Sequence, residues 1–185
     1  MINIICGETL SAGNFINVKV AVILANKILK QDDLYRQIAA HPSFDHSDTT
    51  PPTIAGFMRN ADLTMTLNLY HAINEEKNID GYDDTEHPEN IHLNIWRTNR
   101  SPESMCNTIV HACVHAVNAL HDHNYFGHGD NSLPGKDNTA PYRIGEMAQR
   151  MASKDAAIII PLAHDPVAPR LKNISRYNTH LAMAQ

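Results

Sequence analysis

Cys106-Asn-Thr-Ile-Val-His111-Ala112-Cys113-Val-His115-Ala-Val-Asn118-Ala-Leu-His121-Asp122-His123-Asn-Tyr-Phe-Gly127-His128-Gly-Asp130-Asn131 holds five of the twelve histidines of this chain. The residues just before it carry helix-start signals. Ser101 is suited to the N-cap, Pro102 to the first turn where a missing N–H costs nothing, and Glu103 to the positive end of the helix dipole. The spacing predicts a helix from Pro102 to about His123. Cys106, Val110, Cys113, Val117 and Leu120 recur at helical spacing and form a core-facing stripe. Both cysteines on this stripe then serve as small buried hydrophobes. A buried mid-helix thiol lacks the electropositive surroundings that a nucleophile needs, which argues against a cysteine hydrolase. His111, His115, Asn118 and Asp122 make a second, polar stripe.

Two imidazoles one helical turn apart can point at a single ion about 2 Å from each nitrogen. A helix holds that separation rigidly, and zinc is the metal we expect there. A catalytic zinc takes three protein ligands and keeps a fourth position open. The expected third ligand is His128. It follows a polar break at Asn124 and lies between Gly127 and Gly129, which let backbone come close to a site. Asp130, two residues on, is placed to orient the His128 ring, and Asn118 to hold a ligand histidine by accepting its second ring N–H. The remaining histidines, among them His41, His46, His71 and His87, are scattered and read as ordinary polar residues.

The run His111-Ala112-Cys113-Val114-His115 resembles the His-Glu-x-x-His motif of the zincin-type zinc metallopeptidases. Both ligand positions match, and Ala112 stands where the family has its general-base Glu. Phe126-Gly-His-Gly-Asp-Asn-Ser132, the Gly135-Lys136 pair and Asn138-Thr-Ala-Pro-Tyr142 extend the likeness toward a small group of bacterial zincin-like proteins, over about residues 50 to 150. The resemblance implies two other candidates for the third ligand. His121 lies ten residues after His111, as in the extended motif, although Asn118 replaces the usual Gly. Glu146 sits on a following helix, where some zincins place a ligand. Tyr142 is a candidate donor to an oxyanion. The strand Ile91–Trp96 corresponds to the edge strand that lines the cleft in that family, which makes His92 a residue to locate.

The rest of the chain supplies the frame. Ile2–Cys6 is a short apolar run fit for a strand, and Leu63–Tyr70 and Ile91–Trp96 alternate as half-buried strands do. Helices are expected at Asn17–Lys30, from Asp32, from Pro51, and over Tyr142–Ser153, while Ala156–Leu162 suits helix or strand. Residues 75–90 read as an exposed acidic loop. The mixture lacks a regular βαβ rhythm, so the fold class is α+β. We expect one zincin-like domain over residues 1–185, a small mixed sheet packed on an active-site helix, and a mobile Pro-interrupted tail from His164 to Gln185.

At 185 residues the chain can bury a core without staples, and 43% hydrophobic against 19% charged residues is globular composition. A net charge of −5 gives no electrostatic drive toward nucleic acid or an anionic membrane. Lys19, Asn26 and Lys27 interrupt the most apolar early stretch, so it does not span a bilayer. Three cysteines make no disulfide framework and fit a reducing compartment. The expected location is the cytoplasm, or outside it by a route without a cleaved leader. The expected function is zinc-dependent peptide-bond hydrolysis on a protein or peptide substrate, disabled by a Glu→Ala exchange at position 112. The alternative is a non-catalytic, zinc-stabilised module that binds peptides or proteins.

Overall fold

Alternation along Leu63–Tyr70 puts Met65, Leu67 and Leu69 on one face and Thr64, Thr66 and Asn68 on the other, and this strand becomes the sheet's interior. The computed structural model describes residues 1–12, 15–73, 79–83, 86–121, 123–128 and 138–164. Its sheet has the order β1-β2-β4-β3, with β1 Ile2–Cys6, β2 Leu63–Tyr70, β3 Gly81–Asp83 and β4 Asn90–Asn94. β1, β2 and β4 run parallel, and β3 closes the edge antiparallel to β4. Ile2, Ile4, Met65, Leu67, Ile91 and Leu93 are buried on the apolar face.

The helices are α1 Glu8–Ala12, α2 Ile16–Ile28, α3 Asp32–Ala39, α4 Pro51–Asn60, α5 Pro102–Ala119 and α6 Ala140–His164. α2 lies against β1 and α5 against β3, while α5 is flanked by α2 and α6. The class is therefore mixed α and β, with a four-stranded mixed sheet. Among the described residues no helix is long and apolar enough to cross a membrane.

The β1 edge is closed by a side chain. Asn26 of α2 donates from Nδ2 to the Ile4 carbonyl and accepts the Ile4 N–H at Oδ1, both at 2.8 Å. One amide thus takes the place of a neighbouring strand and leaves no pairing template at that residue.

Several expectations change. Ile91–Trp96 is not an edge strand. β4 stops at Asn94 and is interior, and Ile95–Arg97 is a 3₁₀ turn. Asn94 causes the stop: fully buried, it accepts the Trp96 N–H and donates to the Ile79 carbonyl. The edge is β3, inside the stretch expected to be loop. Gly81 permits the pairing, because a Cβ there would lie 2.5 Å from the His92 carbonyl oxygen. α5 ends at Ala119 rather than near His123, which leaves Leu120 exposed instead of in the core stripe. Tyr142–Ser153 and Ala156–Leu162 belong to one continuous helix, α6. α1 was not expected; it holds Thr9, whose Oγ1 accepts the Leu69 N–H at 2.8 Å. The tail beyond His164 lies outside the described residues.

Candidate metal centre

α5 begins as its start signals require: the Ser101 hydroxyl accepts the Ser104 N–H at 3.3 Å, and Pro102 occupies the first turn. Cys106, Val110, Cys113 and Val117 are fully buried, so the apolar stripe anchors the helix in the core. Burial drives the Cys106 thiol up to about 12, with Glu103 adding to the effect, and it is inert as a nucleophile. This anchoring fixes the rotation of α5 and turns His111 and His115 toward its partly open side.

His128 arrives from outside the helix and completes a triangle. The Nε2 atoms are 3.2 Å apart for His111 and His115, 3.0 Å for His115 and His128, and 3.0 Å for His128 and His111. Three nitrogens at such separations cannot all be satisfied by hydrogen bonds to one another, since each ring has one lone pair or one proton to offer at Nε2. A cation resolves the conflict by accepting all three lone pairs. Tetrahedral bonds of ~2.0–2.1 Å require nitrogens roughly 3.3–3.4 Å apart, a few tenths of an ångström from those present. These three histidines could hold a metal ion, and among the described residues no carboxylate or thiol joins them.

The electrostatics favour ligation. Burial lowers His111 well below the ordinary imidazole value, and the neighbouring His115 and His128 push the same way. His115 is lowered to about 4, again chiefly by burial and then by His128. Both rings are therefore neutral at physiological pH, the state that a metal requires.

Tyr142 of α6 stands at the site. Its ring centroid is 4.7 Å from that of His111 and 4.7 Å from that of His128, nearly parallel to the latter. The other candidates lie elsewhere. His121 stacks on Phe57 at 3.8 Å, because α5 has ended before it and its ring follows a different direction. Glu146 forms an ion pair with Arg143 at 2.9 Å and approaches Arg150 at 4.0 Å. His92 stacks on Tyr82 at 4.6 Å on the face of the sheet opposite the core. Asn118 does not orient a ligand ring as expected; its Oδ1 accepts the backbone N–H of Phe126 at 2.9 Å. Asp122, Gly129 and Asp130 lie outside the described residues.

Sequence reasoning missed the residues that place His128. Phe126 is fully buried, with its ring centroid 6.1 Å from that of Phe57. The carbonyl of Tyr125 accepts the Asp48 N–H at 2.8 Å. Only the aromatic next to Gly127 hinted at this anchoring. At Gly127 a Cβ would stand 3.1 Å from the Tyr125 hydroxyl, so the tight packing of ring over backbone suits glycine. Ala112 is buried at 4% exposure and brings no titratable group. No protein-family model matches the chain, and comparison with curated proteins and with solved structures likewise returns no match.

Proposed function

We propose that the chain binds zinc through His111, His115 and His128, and that the site is that of a zinc-dependent metallopeptidase lacking its general base. The observation that carries the reading is the triangle of Nε2 atoms at 3.0–3.2 Å, contributed by one helix and one returning segment. Bound zinc would supply Lewis-acid polarisation of a carbonyl and acidification of a water. Three protein ligands leave a coordination position for that chemistry. Tyr142, packed against two of the ligands, orients their rings and brings a phenol near the centre. At position 112 a glutamate would sit one residue past a ligand, within reach of the reacting water; alanine removes the proton acceptor. The proposed substrate is a protein or peptide, and the proposed fold relationship is to the zincins. The three free thiols fit a reducing compartment such as the cytoplasm.

A second reading is favoured by the burial of Ala112 within the core cluster. Here the metal only staples α5 to residues 123–128, and the protein binds a peptide or protein without cutting it. Elemental analysis of chelator-free protein, together with Ala112→Glu assayed zinc-loaded on a broad peptide panel, separates the two. One zinc per chain, lost in His111→Ala, His115→Ala and His128→Ala, supports the site. Cleavage by the Ala112→Glu variant well above that of the present chain supports the peptidase. A folded, zinc-bound Ala112→Glu variant that cuts nothing favours the staple, and full metal content in any of the three histidine-to-alanine variants removes the site altogether.

A further inference from the structure

The peptide unit joining Tyr125 to Phe126 is held on both sides. Its N–H is accepted by Asn118 Oδ1 at 2.9 Å, and its carbonyl accepts the Asp48 N–H at 2.8 Å, with the Ser47 hydroxyl 3.4 Å away. The Phe126 side chain, fully buried, removes the remaining freedom of that unit to rotate. His128 follows two residues later. Its reach to His111 and His115 is therefore set by an amide on the same helix as those ligands and by a loop that precedes α4.

We propose that Asn118 is a positioning residue for the metal centre: by fixing the 125–126 peptide plane it presets His128 as the third ligand before any ion binds. The inference rests on the metal reading above. Asn118 lies one turn beyond His115 on α5, so helix rotation, the two helical ligands and the anchor for the third are set by one rigid element. Phe126 comes eight residues after Asn118. Without the clamp, that stretch would let His128 sample many positions, and ordering it on binding would weaken affinity.

The test compares zinc titrations of the chelator-stripped full chain with those of Asn118→Leu and Asn118→Asp. Leucine removes the acceptor, whereas aspartate keeps an oxygen in the same place. We expect the leucine variant to bind zinc roughly 10–100-fold more weakly, as for other groups that orient ligands, and aspartate to restore tight binding. Amide hydrogen exchange of the metal-free proteins is the second readout. Phe126 should exchange faster in the leucine variant while the buried amides of α5 stay unchanged; should leucine prevent folding, Asn118→Ala replaces it in both measurements. Equal zinc affinity in the parent and leucine proteins, or loss in the aspartate protein as well, overturns the positioning role. Absence of zinc binding by the parent chain overturns the metal reading itself, and unchanged Phe126 exchange then disposes of the clamp independently.

Discussion

Acidification of the metal-free protein should destabilise it through His115. The imidazole titrates at 6.5 in the open chain and at about 4 when folded, because burial and the adjacent His128 disfavour its cation. Between these values the unfolded chain binds the extra proton, so stability falls as pH falls. It is fully present above 6.5 and lost through the window down to 4. Integrating the proton difference gives a loss of about 0.4 kcal/mol near pH 6.5, about 1.4 near pH 5.5 and about 2.6 near pH 4.5. His111 is shifted in the same direction and adds to the effect. The assay is urea unfolding at these three pH values and at neutral pH, on chelator-treated protein and on His115→Asn. The difference between parent and variant isolates the imidazole from the carboxylates that titrate nearby. A parent protein whose stability relative to the variant stays flat, or rises, on going from neutral pH to about 4.5 would overturn this prediction. It would mean that the ring is already solvated or protonated in the folded chain, and the neutral cluster poised for a metal would not exist.

Other consequences follow from the same contacts. Zinc at a thousandfold excess over its Kd should raise stability by about 4 kcal/mol and Tm by roughly 8–16 °C, read by calorimetry, with a chelator reversing the shift. His121→Ala should keep full zinc content by elemental analysis while losing the stack on Phe57, since its ring packs there and does not join the cluster. Asn26→Ala should cost about 1–3 kcal/mol in urea unfolding, because the Ile4 N–H and carbonyl both lose their partner. Asp80→Ala should cost a similar ~1–3 kcal/mol. Asp80 accepts Arg97 Nε at 2.9 Å and Arg100 Nη1 at 2.7 Å, and Arg100 in turn reaches Thr108 Oγ1 of α5 at 3.1 Å. Faster exchange of the β3 amides in that variant would show that these residues tie the edge strand to the helix.

The residues that local periodicity and capping govern were legible from the chain alone. Alternation placed β2 at Leu63–Tyr70, and the apolar run placed β1 at Ile2–Cys6, both without a shift at either end. Ser101, Pro102 and Glu103 located the start of α5, and the four-residue step put His111 and His115 on one side of it. The Gly-flanked context singled out His128, which the structure brings to both of them. These are properties of neighbouring residues, which the backbone enforces wherever the helix or strand is built. Tertiary structure alone decided the rest. Strand order depends on pairing across gaps in sequence, so the short β3 took the edge and β4 the interior. That His121 and Glu146 stand apart from His111 and His115 was a matter of where α5 stops and which cation Glu146 meets. The grip of Asn118 and Asp48 on one peptide unit joins residues far apart in the chain, and no spacing rule encodes a contact that exists only when the loop before α4 packs beside the end of α5.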